Sequence, residues 1–195
     1  MATEKTHQVK DLDTLKALGH PLRIKLYRAL YVAGTATASQ LADQVDEAVS
    51  LVSYHLRKLA THGIIEEAEG HGGDARERWW QPASSGLNTE DADFRDAPES
   101  AALHTTVSRM YAQDRTAMYE NYLDAKAAWS NDWRDAAFSS STMMPLTSEE
   151  LGLMREEMLA LVQGWRLRAE AARDAGDTEG RENVAVFMYG FPFRI

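Results

Sequence analysis

Residues 46–65 read DEAVSLVSYHLRKLATHGII. Wound as a helix at about 100° per residue, Val52, Leu56 and Leu59 fall within about 60° of one another and mark a side to be buried. The opposite arc carries Ser50, Ser53, Tyr54, Arg57, Lys58 and Thr61. An ordinary solvated face mixes acids with bases, whereas this one has hydroxyls and cations and no acid after Glu47. Hydroxyls and cations on one helix face can hydrogen-bond phosphate oxygens and base edges. A solvated face of chance composition is the plain alternative, and the flanking sequence has to decide between them.

Immediately upstream, Thr37 and Gln40 in TASQLADQV have capping-box spacing, which starts a helix with Leu41 and Val45 turned inward. A three-residue connection leads to the next helix, for which Asp46 is the expected N-cap and Gly63 the stop. Two helices so closely joined have the spacing of a helix-turn-helix, whose second helix enters a major groove. Downstream, IIEEAE, the tip GHGGDA and RERWWQP read as two short strands around a glycine turn. Upstream, Asp11 caps LDTLKALG, which stops at Gly19. Pro21 then fits the first turn of PLRIKLYRALYVAG, where a missing N–H costs nothing. Residues 1–82 therefore read as four helices and a hairpin.

The segments LKALGHPLRIKLYRAL, SQLADQV, SLVSYHLRKLATHGII and RERWWQP together resemble the DNA-binding domain of ArsR-like bacterial transcriptional regulators, over about residues 11–82. The resemblance implies a winged helix-turn-helix. It places Val49, Ser50, Leu51, Ser53 and Tyr54 toward the groove. Arg57 and Lys58 are expected on phosphates, and Arg76 and Arg78 of the wing on the DNA backbone or in the minor groove. His55 falls at the edge of the buried side and is read mainly as a packing residue. Two features depart from the family. Ala48 stands where many relatives carry Ser, which leaves capping to Asp46. The hairpin also holds Glu66, Glu67, Glu69 and Asp74, which oppose close approach of the whole wing to DNA.

The 195-residue chain has a formal net charge of −9, which by itself argues against nucleic acid. The charge is uneven. Residues 1–82 hold 10 Lys/Arg and 11 Asp/Glu, a net of −1, and the remainder holds 11 and 19, a net of −8. Any nucleic-acid surface must be a local patch in the first part. The chain has no Cys, which excludes disulfides, thiol catalysis and Cys-based zinc sites. Polar opening residues and the lack of a long apolar run predict no signal peptide, no membrane segment and a cytoplasmic location.

Residues 83–100 have the composition of a linker. A helix with a wide apolar stripe is predicted from Glu99 to about Trp129, and a second opens at the capping box of Thr147 and Glu150 and ends at Gly176. The C-terminal VAVFMYGFPFRI is predicted as a strand. The fold class is therefore mainly α with a small β-hairpin wing: a winged helix-turn-helix plus long C-terminal helices. Residues 1–95 form the DNA-binding domain with its linker, and 96–195 a helical dimerisation or ligand-sensing region.

Met110, Tyr111, Met118, Tyr122, Trp129 and Trp165 line either a dimer core or a pocket for an organic ligand. His104 lacks a His partner at helical spacing, so no metal site is expected, and no cofactor. No nucleophile motif, phosphate loop or catalytic carboxylate pair points to an enzyme. The expected function is a dimeric, sequence-specific DNA-binding transcriptional regulator, a repressor by resemblance, responsive to a small organic effector if to any signal. The alternative is a winged-helix protein-interaction module without specific DNA binding.

Overall fold

The computed structural model describes residues 7–69, 78–84 and 86–194. Helix α1 (Leu12–Leu18) starts where the Asp11 carboxylate accepts from the Thr14 N–H at 2.8 Å. Pro21 opens α2 (Pro21–Ala33), and the His20 ring nitrogen Nδ1 accepts from the Leu22 N–H at 3.2 Å. Gly34, at φ 73°, turns the chain out of α2. Helix α3 (Ala38–Val45) carries the predicted capping box, with Thr37 and Gln40 each accepting from the other's backbone N–H. Helix α4 is Val49–Thr61.

The turn between α3 and α4 corrects the expected role of Asp46. It does not cap α4, whose N-cap is Ala48 with no side-chain hydrogen bond. Asp46 instead closes α3 in the left-handed region, at φ 56°. Its N–H and that of Glu47 both reach back to the Ala42 carbonyl, the latter at 3.1 Å. Closing a helix this way needs positive φ, which Asp tolerates better than most side chains. The α4 exit uses the same device with glycine. Gly63, at φ 65°, lets the Ile64 N–H reach the Leu59 carbonyl at 3.1 Å.

Strands β3 (Ile65–Glu67) and β4 (Trp79–Pro82) pair antiparallel as the wing. A two-residue strand not expected from sequence, β2 (Ala36–Thr37), adds to the other edge of β4, giving the order β2-β4-β3. This pairing ties the start of α3 to the wing. The linker expected at 83–100 is also structured. Its β5 (Leu87–Thr89) pairs in parallel with β1 (His7–Val9), and Phe94, after a 3-10 turn at Asp91–Asp93, is buried. The core joins Leu15, Leu18, Leu26, Leu30, Leu41, Val52, Leu56, Leu59 and Ile64 to Trp80 of the wing. Leucines two helical turns or less apart on each helix meet here because each helix buries a single stripe.

Helix α5 (Pro98–Asp124) stops five residues short of the predicted end, and a 3-10 turn at Lys126–Ala128 follows. A short α6 (Asn131–Ala136) and a long α7 (Ser148–Asp174) come next, α7 opened by the expected Thr147–Glu150 capping box. Residues 177–194 form no regular strand, so the predicted C-terminal strand is absent; an apolar run becomes a strand only when a ladder partner lies beside it.

The described chain falls into two compact units, 1–124 and 125–195. In the first, α5 packs on the winged helix through Leu103, Val107 and Tyr111, and Arg28 pairs with Asp114 at 2.7 Å. A Cβ on Gly19 would lie 3.2 Å from Val107, so this glycine lets α5 approach the end of α1. In the second, a Cβ on Gly190 would lie 3.1 Å from the Leu151 side chain, so the C-terminal segment comes close to the first turn of α7 there. The fold is mainly α with a hairpin wing, a winged helix-turn-helix with long C-terminal helices.

Candidate nucleic-acid interface

Helix α4 is anchored by its apolar side. Val52, Leu56 and Leu59 are fully buried, which fixes the direction of every other side chain on the helix. Ser50, Arg57, Lys58 and Thr61 are exposed, Tyr54 is 54% exposed, and Ser53 is half-buried. The arc expected from the helical wheel is thus the outer surface. Val49 and Leu51 are exposed apolar residues at the helix start, where they can meet a thymine methyl or the groove wall. The Thr61 hydroxyl donates to the Arg57 carbonyl at 2.9 Å and is therefore already engaged. Among the described residues, Arg57 and Lys58 form no ion pair. With no side chain capping α4, its first-turn N–H groups stay available to an anion such as a phosphate.

Beneath the helix lies a polar mounting that no sequence pattern signals. His55 is 4% exposed and its ring centroid is 4.4 Å from that of His20, with Tyr54 edge-on at 5.1 Å. Arg23 of α2 reaches three acceptors. It donates to the carbonyls of Ala17 and Lys16 at the end of α1, the latter at 3.1 Å, and its Nη1 lies 3.3 Å from His55 Nδ1. Arginine can only donate, so His55 Nδ1 is the acceptor and the ring is neutral with its proton on Nε2. Burial first, then the neighbouring His20 and Arg23, push the His55 pKa below its usual value. Burial and then Arg23 do the same to His20. No residue spacing marks Arg23 for this role, because its three acceptors come from parts of the chain brought together only by folding.

The wing is anchored by Ile65 and Trp80, both buried. On its exposed side Gln81 donates to Glu66 at 2.8 Å, and Arg78 pairs with Glu67 at 2.9 Å. Arg78 is therefore exposed but held by an acid of the neighbouring strand. Arg76 lies outside the described residues. An open groove of about 620 Å³ runs between α4 and the wing, bordered by Arg57, Thr61, Glu67 and Arg78.

The six residues expected in a dimer core or pocket divide between the two units. On α5, Met110, Met118 and Tyr122 are half-buried. Tyr111 is packed on the core, its hydroxyl has no hydrogen-bond partner among the described residues, and burial pushes its phenol well above the usual value. In the second unit Trp129 meets Trp133 edge-on at 6.3 Å. Trp165 is 62% exposed, with the Arg168 guanidinium 4.7 Å above its ring. His104 stacks on Phe94 and lies 3.8 Å from Asp91. Among the described residues, no group of three or more His, Asp or Glu is placed to hold a metal, and no helix is long and apolar enough to cross a membrane.

A helix-turn-helix domain family matches residues 18–68, the span from the end of α1 to the first wing strand. No curated protein matches the chain. Among solved structures, the disulfide-formed state of AbfR is 13% identical, covering 59% of this chain and 75% of its own, with a TM-score of 0.32. Two structures of Lactococcus lactis ZitR are similar at the same level. A doubly substituted apo variant is 14% identical over 77% of this chain and 85% of its own, with a TM-score of 0.31. The other, described as a zinc-responsive MarR family member, is 13% identical over 81% and 83%, with a TM-score of 0.29. The helix-turn-helix rests on the match at 18–68 and the geometry of α3 and α4.

Proposed function

We propose that this chain is a sequence-specific DNA-binding transcriptional regulator of the ArsR-like kind, acting as a dimeric repressor. One observation carries the reading: the second helix of the helix-turn-helix turns outward an acid-free arc of Ser50, Ser53, Tyr54, Arg57 and Lys58, while its opposite side is locked into the core. In this reading the arc enters a major groove, with Ser50, Ser53 and Tyr54 at base edges and Arg57 and Lys58 on flanking phosphates. Val49 and Leu51 bracket the groove, and Arg76 and Arg78 belong to the wing contact. Residues 96–195 set the spacing of the two recognition helices. An effector, where one acts, is a small, partly apolar molecule that binds the DNA-competent and incompetent states unequally.

Titration of specific and scrambled duplexes at several salt concentrations tests this. Tyr54→Ala and Ser50→Ala should each cost specific binding about 1–3 kcal/mol and leave non-specific binding nearly unchanged. Arg57→Ala and Lys58→Ala should weaken both and reduce the salt slope by about one for each phosphate no longer neutralised. Wild-type affinity and slope in all four variants would defeat the assignment.

A second reading draws on the wing. The Arg78–Glu67 pair, with Glu66 beside it, occupies a cation that a wing on DNA would use. It favours a winged-helix protein-interaction module without specific DNA binding, for which salt-dependent duplex binding would be missing.

A further inference from the structure

We infer that the C-terminal unit, residues 125–195, is completed by the same unit of a second copy of this chain, through an antiparallel pairing of the two α7 helices. This rests on the dimeric reading above and names the surface that makes the dimer.

No described residue of the unit is buried within the chain. A unit with two helices and no buried side chain among its described residues has no core of its own, and hydrophobic burial is what holds a helical unit together. Its apolar surface is large. Phe138, Trp165, Phe187, Tyr189, Phe191 and Phe193 are 40–82% exposed. At about 150–250 Å² per aromatic side chain they present on the order of 700 Å². The exposed leucines, methionines and valines add a comparable amount, so the unit exceeds the roughly 800 Å² per partner of a stable interface.

The pattern on α7 says what kind of partner fits. Leu151, Met154, Met158, Leu161 and Trp165 follow alternating spacings of three and four residues, a seam that continues through Arg168. That is the heptad spacing by which one helix packs along another. Gly190 of the same chain approaches the seam at Leu151, while Leu161 and Trp165, in its C-terminal half, are 64% and 62% exposed.

Charge then favours a second copy, and its direction. The first half of α7 carries Glu149, Glu150, Glu156 and Glu157 against Arg155, and the second half Arg166, Arg168 and Arg173 against Glu170 and Asp174. A parallel pair would set acidic half beside acidic half. An antiparallel pair sets each acidic half beside the partner's basic half and opposes the helix dipoles. The helix is thus complementary to itself about a two-fold axis near Leu161.

The full-length chain allows a direct test, because it has no Cys and a side chain added at Gly152 or Gly164 meets nothing within 4 Å. Sedimentation should show a wild-type dimer at micromolar concentration and monomers for Leu161→Glu and Trp165→Glu, both exposed in the single chain, with a lowered helical signal in far-UV circular dichroism because an unpaired α7 has no core to pack on. Spin labels on Gly164→Cys should lie within about 20 Å of each other and those on Gly152→Cys about 30 Å apart, from the 1.5 Å rise per residue and a two-fold near Leu161. A monomeric wild type, dimeric Glu variants, or two equally short label distances would overturn the inference. Binding of a single half-site by the Leu161→Glu variant is read separately. Loss of DNA binding by a chain that dimerises as described counts against the regulator reading alone, and intact half-site binding by a variant that stays dimeric counts against the α7 pairing alone.

Discussion

Replacing Arg23 by Ala removes three hydrogen bonds at once: two to the last carbonyls of α1 and one to a buried imidazole under α4. Bonds from a charged donor contribute about 1.5–3 kcal/mol each when buried. Arg23 is only part-buried, and water replaces some of the bonding at the α1 carbonyls, so the expected loss is about 2 kcal/mol in all. Arg23→Lys should recover less than half of it, because an ammonium cannot spread donors across three acceptors as the guanidinium fork does. The same cluster predicts a pH dependence. His20 and His55 both have folded-state pKa values below their usual 6.5, so the unfolded chain binds protons first. Their contribution is complete above pH 6.5 and is lost as the pH falls below it toward the folded values. Urea unfolding at pH 7.5 and pH 5.5 reads both effects. Wild type should be less stable at pH 5.5, and Arg23→Ala should unfold at lower urea at pH 7.5 with an unchanged m-value. An Arg23→Ala variant within about 0.5 kcal/mol of wild type at pH 7.5, the range of an ordinary surface substitution, would refute the mounting role.

In thermal unfolding, Asp46→Gly should leave stability equal or raise it by up to about 1 kcal/mol, whereas Asp46→Val should lower it, since a β-branched side chain resists positive φ; the reverse order would contradict the αL turn. Titrations followed by Trp fluorescence and DNA affinity should show no response to zinc, nickel, cobalt, copper or peroxide, and any response should come from small hydrophobic compounds; a stoichiometric metal that releases DNA would bring His104 and Asp91 forward instead.

The winged helix is legible in the sequence because its signals are local. Asp11, Pro21 and the Thr37–Gln40 box announce helix starts within four residues, and Val52, Leu56 and Leu59 fix the buried side of α4 by period alone. Asp46 misleads because it stands at the end of one helix and two residues before the N-cap of the next. Its positive φ, which sequence does not display, decides between the roles. Pairings that are distant in sequence are not legible. His7 meets Leu87, and Ala36 meets Trp80, through strands of two to four residues that carry no readable alternation. The run from Val184 to Phe193 has the composition of a strand but joins no ladder among the described residues. Within the candidate interface, the outer arc of α4 can be read from the helical wheel, while the Arg23–His55 contact cannot, since it links residues 32 apart through the packing of α2 on α4.

Selection of bound sequences from a pool of random duplex DNA by the purified full-length chain tests the central claim most directly. The account predicts an enriched, near-palindromic site with two half-sites about 10–10.5 base pairs apart, centre to centre, or a multiple of that. It also predicts that the enrichment disappears with Tyr54→Ala while weak, salt-sensitive binding persists. A pool that emerges unenriched from wild-type protein, or a site selected equally well by the Tyr54→Ala variant, would contradict it.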